Sequence, residues 1–389
     1  MHKLLRSPLV LWSSLCLALF LFPLLWSAAP LHSRSSCGTS CTRRVLGRAK
    51  KELLGLSNNA SLADALDVFA VAVPATRPYW LASCKHCGCD VCDFMASTGV
   101  FAPVEAAAFD YILASADCDG NKAVVDVGAN VGSFTMLAAA YECVPKVVAF
   151  EPNPAPRALA KASVDLNAAS RRVTLLPYAV GDAHGTATLD SAADHRWGLA
   201  AVRVSPPDEQ ARLAARGVGD RHSLDEESLD QDEAEPVDAS GSRGAGSGDD
   251  APVVVVPLSD VSELTKDLLL LKIDTEGAEA SVLPGTWALF DADRVVDNVL
   301  VEVKKWNTRP KRDLLRHLAR TGGLMHVYTY KELYGPEGRV SGAGHVSLEG
   351  RFVDVSEIIV KGQYERSLPN EDFWFRRKPL PADMVAAAL

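Results

Sequence analysis

The stretch LLLLKIDTEGAE, residues 268–279, sets Lys272, Asp274, Glu276 and Glu279 directly behind four leucines. Charges so close to an apolar run are costly if they are buried without partners, and a cleft position relieves that cost while supplying a base. Asp274 and Glu276 are therefore candidates for catalysis or acceptor binding, joined by Glu302 at the end of the next apolar run, VVDNVLVEV. A carboxylate within hydrogen-bond reach can take the proton of a hydroxyl nucleophile. A divalent cation can bridge such carboxylates, although no metal ligand is assigned. The alternative is structural: Lys272 pairs with Glu279 or Glu302, and Asp274 or Thr275 caps the following helix. His345, in GAGHVSL, is a further possible base in a loop, where a lone histidine more often faces solvent.

A second constellation lies upstream. VVDVGANVGSF, residues 124–134, ends an apolar run in Asp126 and places Gly128, Asn130 and Gly132 in a turn before an apolar stretch resumes. The dinucleotide fingerprint needs G-x-G-x-x-G and the phosphate-cradling P-loop needs Gly-Lys-Ser/Thr; this turn has neither. Glu151, 19 residues past Gly132 in VVAFEPNP, stands at the end of the next apolar run. A carboxylate there can accept both hydroxyls of a ribose, each charge-assisted bond being worth roughly 1.5–3 kcal/mol. A glycine turn with a ribose acid implies a nucleoside-bearing cofactor.

The elements that must hold these residues are short β-branched runs alternating with helical segments. Strands are expected at 123–127, 146–150, 173–180, 268–274 and 295–303, with helices at 131–141, 154–168, 278–290 and 311–320. Strands apolar on successive residues are buried on both faces, which predicts a doubly wound, mostly parallel α/β sheet. Further strands are expected at 325–330 and 356–362, and TATL (186–189) with VVVV (253–256) as an added ribbon. In such a fold both constellations fall at the carboxyl edge of the sheet, where ligands bind.

VVDVGANVGSF, VVAFEPNP, LPYAVGD, VPLSDV, LLLLKIDTEGAEASVLPG and VLVEV together resemble the FkbM-type methyltransferases in order and rough spacing. The resemblance covers about residues 122–303, interrupted by an acidic tract, and extends more weakly to about 362. It implies a class I, Rossmann-like methyltransferase that uses S-adenosylmethionine. It places the Asp126–Gly132 turn beside the methionine part of the cofactor, Glu151 on the ribose, and Asp182 near the adenine, with an ordinary turn role as the alternative for Asp182. An NAD-dependent oxidoreductase on the same fold and a non-catalytic, membrane-tethered binding module stay open as rivals. The first lacks its third glycine, and against the second Asp126, Gly128, Gly132 and Glu151 are all present.

The flanks suggest a compartment. Residues 1–30 place Lys3 and Arg6 before an uncharged apolar run from Leu9 to Ala29, long enough for a signal anchor, with a cleaved signal peptide as the alternative. Residues 31–118 are expected to form a stem and a Cys-containing helical region, 119–365 the methyltransferase-like domain, and 366–389 a C-terminal tail able to cap the core. Cys84, Cys87, Cys89 and Cys92 suit either disulfides or a tetrahedral zinc. The formal net charge of -9 equals the balance of residues 205–250, thirteen Asp/Glu against four Arg. The tract 205–252 reads as a disordered insertion, and the otherwise neutral chain carries no electrostatic footprint for nucleic acid. The expectation is a single-pass membrane protein facing the lumen of the Golgi or endoplasmic reticulum, or a secreted one if the segment is cleaved. Its acceptor would be a glycan or another hydroxyl-bearing molecule of the secretory pathway.

Overall fold

The computed structural model describes residues 44–49, 66–71, 78–84, 91–92, 94–95, 101–116, 121–190, 201–204, 252–291, 294–330, 347–362 and 371–386. The apolar run 9–29, Cys87, Cys89, His345 and nearly all of the acidic tract lie outside them. Among the described residues no helix is long and apolar enough to cross a membrane.

In chain order the main elements are β1 (Leu66–Val71), β2 (Tyr79–Cys84), α1 (Pro103–Ala114), β3 (Lys122–Val127), α2 (Ser133–Ala140), β4 (Val147–Phe150) and α3 (Pro154–Leu166). These lead to β5 (Val173–Leu176), β6 (Ala179–Val180), β7 (Gly185–Asp190), β8 (Ala201–Val204), β9 (Pro252–Val256), β10 (Asp267–Ile273), α4 (Glu279–Val282) and α5 (Trp287–Asp291). The last are β11 (Asn298–Glu302), α6 (Arg309–Thr321), β12 (His326–Tyr330), β13 (Phe352–Asp354), α7 (Ser356–Lys361) and β14 (Asp372–Arg376).

Eight strands form one sheet in the order β13-β12-β14-β11-β10-β3-β4-β5. From β5 to β11 all pairings are parallel, and β14 enters antiparallel between β11 and β12. The central strands are apolar on consecutive residues because both faces are covered. One face packs against β1, β2 and α1–α3, the other against α5, α6 and α7.

Several elements differ from the sequence expectation. The segment 173–180 breaks at Pro177 into β5 and β6, and β6 leaves the large sheet to pair parallel with β9. The expected ribbon forms as β7 antiparallel to β9, with β8 on its outer side. The helix expected at 278–290 is interrupted, with a 3-10 turn at Pro284–Thr286 between α4 and α5. SEIIVKG folds as helix α7, not a strand: Gly362, at φ 82°, ends it in the left-handed conformation.

The segment read as a tail holds β14, whose Phe373, Trp374 and Phe375 are fully buried in the middle of the sheet. The region read as helical, 31–118, contains the antiparallel pair β1–β2 as well as α1. Strand β2 is clamped to α3 by side chains: Asn167 accepts from the Trp80 amide at 2.9 Å and donates to its carbonyl at 2.6 Å, while Ser163 Oγ accepts from the Ala82 amide at 2.9 Å. Cys92 and Cys143 are each disulfide-bonded, which removes Cys92 from any zinc set.

Candidate active site

Strand β3 ends where the chain must turn sharply beneath its neighbours. Gly128 has φ 84°, and a β-carbon there would lie 1.7 Å from the Asp274 carbonyl oxygen, so only glycine fits between the two loops. The Gly128 and Ala129 amides donate to the Phe150 carbonyl at 3.0 and 2.9 Å, binding the turn to the end of β4. Gly132, also left-handed, brings the start of α2 against α3, where a β-carbon would be 3.1 Å from that of Ala160. Asn130 takes φ 52°, and its side-chain oxygen accepts from the Val131 amide at 2.8 Å.

This turn holds Glu151. Its Oε2 accepts from the Asn130 amide at 2.7 Å and its Oε1 from the Asn153 amide at 2.8 Å. Each carboxylate oxygen keeps acceptor capacity beyond those bonds. Burial pushes the Glu151 carboxyl up to about 7, against the pull of the two amides and of Arg157.

Asp126 lies behind the turn, fully buried, with Oδ2 accepting from Thr135 Oγ1 at 2.6 Å and Oδ1 without a partner among the described residues. Burial raises its pKa, opposed by Lys272, its register partner on β10.

Lys272 joins the two constellations. It is 1 % exposed; its Nζ donates to Asp274 Oδ2 at 2.9 Å, lies 3.9 Å from Glu105 Oε1 and sits 4.7 Å from the Phe134 ring centroid. Burial disfavours its charge, but Asp274, Glu105 and Asp126 outweigh that and hold it protonated. For Asp274 burial is the largest influence and pushes upward, yet Lys272, a hydrogen bond with Glu302 and the charge of Lys304 bring it below its ordinary value. Glu302 is pushed up to about 9 by burial and by Asp274, so it carries a proton at neutral pH.

Glu276 takes the left-handed conformation at φ 54° and pairs with Lys304; burial raises its pKa. Glu279 is buried and folds back to accept from the Gly277 amide at 2.7 Å and the Thr275 hydroxyl at 3.1 Å. Lys272 thus pairs with Asp274 and Glu105, not with Glu279 or Glu302.

Asp274, Glu276 and Glu302 each offer a carboxylate oxygen within 4.8 Å of the others, the spacing a shared cation would need. Two lysines, Lys272 and Lys304, already answer these charges.

A cleft of about 800 Å³, counted with its open mouth, runs along this edge. Its lining includes Glu151 and Tyr178, the charged Lys272, Asp274 and Glu276, and the rings of Phe101 and Phe134. The structure therefore brings Gly128, Asn130 and Glu151 together with Asp274 and Glu276 on one cleft, with Glu302 beside them and Asp126 and Gly132 as supports behind. Asp182 is set apart: it is an exposed turn residue whose Oδ1 accepts from Ser281 at 3.4 Å.

Sequence reasoning missed Glu105, whose carboxyl is pushed up to about 8 by burial against the pull of Lys272, and Asp372, which acts on both Glu105 and Glu302. The available signal for Glu105 was a lone acid among small apolar residues in PVEAAAF.

The methyltransferase FkbM domain model matches residues 126–330. No curated protein matches the chain. A solved structure, the M. jannaschii tRNA m1G37 methyltransferase, matches at 20% identity over 29% of this chain and 28% of that one, with a TM-score of 0.21, a likeness too slight to argue from. On the family match, which spans the glycine turn, Glu151 and the Lys272–Glu302 network, the chain belongs to the FkbM methyltransferase family.

Proposed function

We propose that this methyltransferase uses S-adenosylmethionine to methylate a hydroxyl of a glycan or another secretory-pathway acceptor, tethered to the membrane by its N-terminal apolar segment. The observation that carries the reading is Glu151, a buried carboxylate fixed by two backbone amides at the mouth of a glycine turn and lining the cleft. The residues fit the cofactor. Gly128 and Asn130 line the cleft beside Glu151, whose carboxylate offers acceptors for a ribose diol. Tyr178 and Val180 line the cleft, and Asp182 does not.

Bound there, S-adenosylmethionine supplies a methyl group already activated by its sulfonium. The work left to the chain is to align the acceptor, exclude water and receive a proton. Asp274, ionised and fixed by Lys272, orients an acceptor hydroxyl. Glu276, lining the cleft with its pKa raised by burial, takes the proton, and Lys304 stabilises the resulting arrangement. Glu302, protonated beside Asp274, keeps that pair at a single negative charge.

Two features support the compartment: the uncharged run from Leu9 to Ala29, and the disulfide-bonded Cys92 and Cys143, which suit an oxidising space.

The test is calorimetric titration of the full chain in detergent with S-adenosylmethionine, S-adenosylhomocysteine and NAD, with Glu151→Ala alongside. Binding of both sulfur nucleosides and not NAD, weakened in the variant by roughly 2–4 kcal/mol, is expected. Folded protein that binds NAD alone would move the assignment to an oxidoreductase.

A further inference from the structure

The opposite edge of the sheet holds a second, larger cavity, of about 1450 Å³ counted likewise with its open mouth. Its lining includes Lys122 at the start of β3, Asn298 at the start of β11 and Arg376 at the end of antiparallel β14, so it opens at the end of the strands remote from the cleft. Arg377 and Lys378 extend the cationic rim, and Asp297 is the one carboxylate among the described lining residues. Asp297 is already occupied by Lys122, at 2.5 Å.

Arg376 is the telling residue. Its guanidinium lies 4.6 Å from the Trp374 ring centroid and 5.9 Å from that of Tyr111, and its Nε donates to Asn298 Oδ1 at 3.3 Å. Asn298 is itself buried and fixed, accepting from Trp374 Nε1 at 3.1 Å and donating to the Leu269 carbonyl at 3.0 Å. The cation is thus held in one orientation by rings and an amide. Among the described residues no carboxylate pairs with it, and its buried Nη1 has no hydrogen-bond partner there.

Burial disfavours the charge and lowers its pKa. A desolvated cation with an unused donor calls for an anion, since charge-assisted bonds to a guanidinium are the strong ones. Nothing in methyl transfer at the far edge uses it.

We infer that the cavity lined by Arg376, Arg377, Lys378 and Lys122 is a second binding site for a phosphate or sulfate monoester, separate from the cofactor cleft. Tyr111, Ile112, Leu269 and Leu380 give the remainder of the lining an apolar character, which suits the body that carries the ester. The ligand's charge is recognised by the fixed guanidinium of Arg376 and reinforced by Arg377 and Lys378 on the rim.

The experiment is calorimetry on the full chain in neutral detergent with four probes: inorganic phosphate, inorganic sulfate, glucose 6-sulfate and short-chain phosphatidic acid. Binding of at least one ester, weakened as salt rises and weakened about tenfold or more in Arg376→Met and in Lys378→Met, is expected. The sugar sulfate and the lipid separate the two sources of such a group. Arg376 packs on Trp374, so Lys378→Met, at the surface, is the variant that keeps the test alive if Arg376→Met fails to fold. Absence of binding by all four probes, or binding that Lys378→Met and a folded Arg376→Met leave unchanged, would overturn the inference.

Discussion

Gly128 and Asp274 meet backbone to backbone: the carbonyl oxygen of Asp274 occupies the place where a side chain on residue 128 would begin. The cofactor turn and the carboxylate loop are therefore one rigid piece. Gly128→Ala meets both a φ of 84° and an immovable carbonyl, and should cost more than the roughly 1–2 kcal/mol of left-handed strain alone. Gly277→Ala, at φ 111° with nothing within 4 Å, should cost only the strain. Denaturant midpoints of the two variants check the difference; equal losses would deny the contact.

Cofactor binding should follow the ionisation of Glu151. Its carboxyl is pushed up to about 7 by burial, and only the carboxylate accepts from both backbone amides and a diol. Affinity for S-adenosylhomocysteine should rise with pH through that value and level off above it. In Glu151→Gln the dependence should vanish, which titrations across that range would reveal.

Lys272 is the shared counter-charge of Asp126, Asp274 and Glu105. Lys272→Met leaves buried carboxylates unanswered, and removing one partner of a buried pair costs about 3–5 kcal/mol. Adding Asp126→Asn should return part of that loss, a coupling that a double-mutant cycle measures. Strict additivity would show that the two residues do not interact.

Glu302 supplies a pH signature of the opposite kind to an ordinary surface acid. Its folded pKa, about 9, exceeds the unfolded value, so its contribution to stability is complete below the unfolded pKa and is lost as pH rises through the folded one. Glu302→Gln mimics the protonated form and does not titrate. Its melting temperature should match the parent near pH 5 and exceed it increasingly toward pH 9; a constant offset would count against the assignment.

Trp374 tests the strand that the sequence disguised. It is fully buried, edge-on to Phe352 at 5.2 Å, and its indole N–H reaches Asn298. Trp374→Ala should destabilise the whole domain by about 3–5 kcal/mol. A loss confined to the last residues, seen by hydrogen exchange, would return them to the status of a tail.

The parallel core was legible because Val124, Val125, Val147 and Leu270 leave no exposed face, and the cofactor turn because Gly128 and Gly132 have a geometric reason to be glycine. What escaped lies where local pattern and tertiary placement disagree. Ile358, Ile359 and Val360 are all buried, and a short run buried on every side does not distinguish helix from strand. The cap signals were nevertheless present: the Ser356 amide donates to Asp354 Oδ1 at 2.9 Å, and Gly362 closes the turn. Three successive aromatics in DFWFR suited a central strand as well as a cap, and nothing local says that β14 belongs between β11 and β12. In the site, Asp274 and Glu276 were legible from charge following leucine. Glu105 was not, because its partner Lys272 is 167 positions away and the two meet only after α1 packs on β10.

The place of β14 also sets the order in which the sheet can be finished during synthesis. Strand β11 is made about 70 residues before the strand that covers its outer edge, and β12 has no neighbour on that side until the same strand arrives. Until then a growing chain presents two open strand edges, the kind of surface that pairs with other chains. Completion of the central sheet therefore waits for residues 372–376, and so does the full electrostatic environment of Glu105 and Glu302, to which Asp372 contributes. A ribosome-bound chain lacking those residues has the cofactor turn encoded but the active centre unfinished, which makes the interval before they are made the window in which chaperones would matter most.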